Sequence, residues 1–159
     1  MNLVRRLLVC ALLLCVMHWS AQAQHLYDPA TLRTFNLVFH DANWLTLLRQ
    51  NYASETNILA DLTVDGVTYL SVGVRIRGNT SYRALPAGSD KFSLKVDMHF
   101  VDADQELLGY DSLNLNNGFH DPTFSREVVY NNYVAQFVPN PRANNCPARL
   151  YAHKHTVVT

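Results

Sequence analysis

The dipeptide Asp65-Gly66 constrains the fold of this chain more than any other feature. It links the runs Ile58–Val64 and Val67–Arg77, and a two-residue Asp-Gly link joins antiparallel strands because both residues tolerate positive φ. The second arm alternates, with Val72, Val74 and Ile76 on one face and Gly73, Arg75 and Arg77 on the other. It breaks at Gly78-Asn79 into a polar loop that holds Pro86 and Gly88. Alternation resumes at Lys91, with Phe92, Leu94 and Val96 on the buried face and Lys91, Ser93 and Lys95 on the other.

This pattern places Arg75, Arg77, Lys91 and Lys95 on polar faces that align across a strand pair. The loop between them adds backbone and hydroxyl donors at Gly78, Asn79, Thr80 and Ser81. Cations and exposed N–H groups around one loop suit an anion, phosphate first. A second reading is open on the same residues: solvent faces of sheets carry Arg and Lys, and Gly-Asn is ordinary turn chemistry.

Residues 1–23 read as a secretory signal peptide. Arg5 and Arg6 form its charged start, 7–19 its apolar segment, and Ala21-Gln22-Ala23 a small-x-small cleavage site, making Gln24 the expected mature N-terminus. The apolar run is too short to span a bilayer and no later stretch approaches that length. The whole sequence has 13 basic and 13 acidic side chains. Cleavage removes two arginines and no acid, leaving 11 against 13, a net charge of −2. A near-neutral chain is not a general nucleic-acid or membrane-surface binder, so the cations of 72–96 are a local concentration. Cys10 and Cys15 leave with the signal. Cys146 then has no partner for an internal disulfide, and stability must come from packing.

Elsewhere, 34–40 reads as a strand with Phe35, Leu37 and Phe39 on one face. Asp41 reads as the N-cap of a short helix carrying Trp44, Leu45, Leu47 and Leu48. The segment 113–117 alternates apolar and amide residues as an edge strand or ordered loop does, its amides serving buried backbone groups. Asp121-Pro122 starts a helix running to about Phe137. Phe124, Val128 and Ala135 form one stripe on it, and Val129, Tyr133 and Phe137 another. A last strand starts at 148–152, and 153–159 shows no closing element. The expectation is an α+β fold, an antiparallel-rich sheet with two helices.

Laid out in this order, the chain resembles the N-terminal part of the spore-coat protein H (CotH) kinase family. The resemblance rests on Arg75-Ile76-Arg77-Gly78-Asn79-Thr80-Ser81, Lys91-Phe92-Ser93-Leu94-Lys95 and Leu108-Gly109. It continues in Leu113-Asn114-Leu115-Asn116-Asn117 and in Asp121-Pro122-Thr123-Phe124-Ser125-Arg126-Glu127. It implies the N-terminal lobe of an atypical protein-kinase-like fold across 24–159, an incomplete domain. It also implies ATP with Mg or another divalent metal as cofactors, and Ser or Thr of secreted or surface proteins as substrate. On that model the turn from Arg77 to Ser81 lies over the nucleotide phosphates, as a glycine-rich loop does. Arg75, Arg77, Gly78, Asn79 and Ser81 then line the phosphate site. Lys91 or Lys95 contacts phosphate, Lys91 being nearer the loop, and Glu127 holds that lysine by an ion pair. The family's catalytic and metal-binding aspartates fall beyond Thr159; Asp97, Asp102, Asp104 and Asp111 lie in the wrong segment. No catalytic or metal-binding residue is therefore expected in this chain, which reads as a truncated or frameshifted product, inactive as it stands.

The rival expectation is a non-catalytic secreted module that binds carbohydrate or a protein partner through exposed Tyr69, Tyr82 and Tyr110. Three weaker signals carry less. His153 and His155 with Cys146 lack a full zinc ligand set. The pair His120-Asp121 has no placed nucleophile. The sequon Asn79-Thr80-Ser81 is read as a chance match.

Overall fold

The computed structural model describes residues 26, 28, 31–118, 120–123, 126, 129–130, 133 and 137, and the backbone of 148–154. The signal segment 1–23, Phe124, Val128, Ala135, Cys146, His155 and Glu127 lie outside the described residues. Among the described residues no helix is long and apolar enough to cross a membrane.

Six strands form one sheet: β1 (Arg33–Phe39), β2 (Ile58–Val64), β3 (Val67–Arg77), β4 (Ser93–Asp97), β5 (Ser112–Leu115) and β6 (Ala148–Lys154). Their order is β5-β4-β3-β2-β1-β6. Neighbours from β5 to β1 are antiparallel, and β6 runs parallel to β1. Helix α1 (Trp44–Gln50) and the single turn α2 (Thr80–Arg83) complete the α+β architecture expected from the sequence.

The hairpin has the boundaries that its alternation predicts. Asp65 and Gly66 have φ of 48° and 91°, the pair of positive values that a tight link matching strand twist requires. Asp65 also ties the hairpin to β1. Its carboxylate meets Arg33 Nη1 at 2.8 Å and accepts from the Thr34 N–H at 2.9 Å. Arg33 is only 4% exposed, so the turn is anchored by a nearly buried guanidinium.

One sheet face is the core. Phe35, Leu37 and Phe39 of β1, Ala60, Leu62 and Val64 of β2, Val72, Val74 and Ile76 of β3, and Leu94 and Val96 of β4 are all buried. Each such side chain contributes about 1.5–3 kcal/mol by leaving water. Leu48 of α1 is buried against them, and Trp44 stacks on Phe39 at 4.5 Å. In β3 the inward positions go from Tyr69 to Val72, a gap of three. Leu70 and Ser71 together face Asp61, forming a bulge. Ser71 takes φ of 55° there, its N–H held by Asp61 Oδ1 at 2.9 Å, which also meets His40 Nε2 at 2.8 Å.

Several boundaries differ from expectation. Asp41 does not cap α1: Asn43 holds that position, and Asp41 Oδ1 accepts from the Asn43 N–H, an Asx turn one step earlier. The segment after Gly78 is not simple loop, since Thr80–Arg83 closes a helical turn. Strand β4 begins at Ser93, leaving Lys91 in the loop, because Ser89 Oγ accepts the Lys91 N–H and Asp90 O the Phe92 N–H. Pro122 and Thr123 form a turn, and the described helical residues are Arg126, Val129, Tyr130 and Tyr133. The stripe Val129, Tyr133 and Phe137 faces solvent. Strand β6, whose start is expected at 148–152, runs to Lys154.

Candidate functional site

The sheet positions the cations by register. Arg75 lies opposite Lys95, and Arg77 opposite Ser93, on the face away from the core. Beyond Arg77 the chain must turn sharply, and Gly78 does so at φ of 86°. A Cβ at Gly78 would run into Ser81 Oγ, so both the dihedral and the space call for glycine.

Two open clefts flank this turn. The first, of about 550 Å³, is lined by Tyr52, Ala53, Glu55, Arg75, Ile76, Arg77, Gly78, Asn79 and Arg83. The second, of about 440 Å³, is lined by Ser81, Ser93, Asn116, Asn117, Gly118, Asp121, Arg126 and Tyr130. Arg77 Nη1 donates to Asn116 Oδ1 at 2.7 Å, so this pair forms the wall between them.

The first cleft has the chemistry of an anion site. Three guanidinium groups line it against one carboxylate, Glu55, whose Oε2 meets Arg75 Nη1 at 2.8 Å. Arg77 spends one donor on a neutral amide and keeps the rest. The rim is braced from behind. Tyr52 donates its hydroxyl to Gly78 O at 3.0 Å and packs on the Tyr82 ring at 4.0 Å. Arg49 holds the far end of the loop through Ser89 O and lies over the Phe92 ring. Those contacts fix the loop 78–92 against α1, so the cleft is formed before any ligand arrives.

The second cleft is organised by amides and Asp121. Asn117 accepts no ligand role on its own account: its N–H donates to Ser93 Oγ at 3.1 Å and its Nδ2 to Lys91 O at 2.9 Å. That is the service to backbone groups expected of the 113–117 amides. Asp121 accepts from the Thr123 hydroxyl, the Arg126 N–H and the Thr123 N–H. The hydroxyl contact first, and the two N–H groups with the Arg126 charge after it, hold its carboxyl below the usual range despite desolvation. These contacts tie Asp121 to Thr123 and Arg126.

Of the residues expected at the site, Arg75, Arg77, Gly78 and Asn79 come together in the first cleft, and Ser81 faces the second. Lys95 joins the same sheet face through its register with Arg75. Lys91 stands in the loop and does not begin β4, which starts at Ser93, so Lys95 is the lysine on the strand. Glu127, expected to pair with that lysine, is outside the described residues. Arg83, Tyr52 and Glu55 are cleft residues not singled out from the sequence. Arg83 reaches the cleft only because the turn Thr80–Arg83 is helical, and Glu55 through a left-handed backbone at φ of 54°. Neither is a pattern that alternation reveals.

The acids excluded from catalysis have local duties. Asp97 Oδ1 accepts the His99 N–H, and Asp102 Oδ1 the Asp104 N–H. Among the described residues no three His, Cys, Asp or Glu side chains come together as metal ligands. The first cleft thus presents three guanidinium groups around a single carboxylate. No protein-family model matches the chain, and comparison with curated proteins finds no match.

Proposed function

We propose that this chain is the phosphate-binding lobe of a secreted protein kinase of the CotH type, which transfers phosphate from ATP to Ser or Thr of secreted or surface proteins. The observation that carries this reading is the first cleft: Arg75, Arg77 and Asn79 converge beside a glycine turn that no other residue can make without strain. In this role the guanidinium groups bind and orient the phosphates through paired N–H donors, and Lys95 adds charge from the next strand. ATP supplies the phosphoryl group. Holding and orienting it is the part these residues play.

The rival module reading has less support. Tyr69, Tyr82 and Tyr110 are half-buried and pack against the core, so they do not offer a flat aromatic platform. The test is ATP binding by the double variant Lys91→Ala plus Lys95→Ala. Loss of binding supports the kinase-lobe reading. Unchanged binding counts strongly against it, and binding of polysaccharide instead of nucleotide would favour the module.

A further inference from the structure

We infer that the first cleft is an oligophosphate subsite indifferent to the nucleobase, with Arg83 as its third cation. This deepens the phosphate-lobe reading and rests on it. The lining is mostly polar and charged, with a minor apolar share. Ile76 is 2% exposed and Ala53 is small, so neither makes a slot for a purine. Among the described residues Tyr52 is the one aromatic in the lining; one of its faces lies on Tyr82, and its hydroxyl is given to Gly78 O. At most one ring face is left for a base, against three guanidinium groups for phosphate, so affinity comes chiefly from the phosphate chain.

The spacing favours more than one phosphate. Arg75 and Arg77 leave the same face of β3 two residues apart, about 7 Å along the strand. Arg83 approaches from α2 on the other side of the turn, exposed, its guanidinium engaged in no hydrogen bond or ion pair among the described residues. With Arg75 balanced by Glu55, Arg77 and Arg83 carry the uncompensated charge. Planar forks on separate elements can grip separate groups of an oligophosphate, which offers each fork its own oxygens.

Titration calorimetry with inorganic tripolyphosphate, ATP and adenosine, without added metal, tests this. Tripolyphosphate is expected to bind within about threefold of ATP, and adenosine not at all. The exposed substitution Arg83→Gln weakens both phosphate ligands by about tenfold, the loss of one charge-assisted contact. Arg126→Gln, in the neighbouring cleft, leaves both unchanged and so separates the subsite from diffuse attraction of polyanions. Tight ATP binding with no tripolyphosphate binding would overturn base indifference while leaving the kinase-lobe reading intact. Equal weakening by both substitutions would overturn the subsite. If neither phosphate ligand binds, the lobe reading falls with it.

Discussion

Replacing Gly78 by alanine perturbs the candidate site at a single backbone position. At φ of 86° an L-residue with a side chain is strained, by about 1–2 kcal/mol. The added methyl also lands on Ser81 Oγ, while Ser81 Cβ stays at an ordinary 3.8 Å. The hydroxyl can swing away, so this clash adds about 0.5–1.5 kcal/mol at most. Alanine recovers about 0.4–1 kcal/mol by restricting the unfolded chain. The net cost is about 0.5–3 kcal/mol, or about 1–10 °C in Tm for a domain of this size. Thermal unfolding of Gly78→Ala, Ser81→Ala and the double variant separates the parts. The cycle should show coupling of about 0.5–1 kcal/mol, because without Oγ the methyl meets only ordinary contacts. An unchanged Tm in Gly78→Ala would refute the left-handed turn, and strict additivity would refute the Ser81 contact.

Two further substitutions test the frame around the site. Asp65→Ala leaves the nearly buried Arg33 guanidinium without its carboxylate and should cost about 2 kcal/mol in urea unfolding, the low end for such pairs because Asp65 is partly exposed. Burial pushes the Asp65 carboxyl up, but the Thr34 N–H and the Arg33 hydrogen bond and charge outweigh it and set it below 3.8. A depressed folded value means this stability is present above the unfolded value and lost as pH falls toward the folded one. Wild type should therefore weaken as pH falls below about 5, and Asp65→Asn should flatten that slope; equal slopes would contradict the assignment. In Gly73→Ala the new Cβ meets Phe100 Cγ at 2.6 Å and Asn57 Nδ2 at 2.9 Å, so Phe100 must leave its seat. That should cost about 1–3 kcal/mol, and a neutral result would show that Phe100 does not rest on Gly73.

Strand pairing was readable because it rests on local chemistry. Asp65-Gly66 forces a hairpin wherever it sits between alternating runs, and inward Phe35, Leu37, Val72, Val74 and Ile76 follow from period two. The β3 bulge left a trace, the three-residue step from Tyr69 to Val72, but its cause is tertiary: Asp61 holds the Ser71 N–H in a left-handed conformation. At the candidate site, Arg75, Arg77, Gly78 and Asn79 were found because strand and turn alone aim them. Arg83 and Glu55 escaped because a helical turn and a strained loop residue aim them, and neither leaves a periodic mark. Lys91 was misplaced by two residues since hydrogen bonds from Ser89 and Asp90 delay β4, which alternation does not report. Tyr69, Tyr82 and Tyr110 pack at the margin of the core, as amphipathic rings commonly do.

The central claim is that phosphate binds at the end of β3. The most direct measurement is an amide chemical-shift map of the ¹⁵N-labelled chain titrated with ATP. The account predicts saturable shifts centred on Arg75, Arg77, Gly78, Asn79 and Arg83, with Tyr69 and Tyr110 unmoved. Shifts absent from the turn, or centred on the tyrosines, would contradict it.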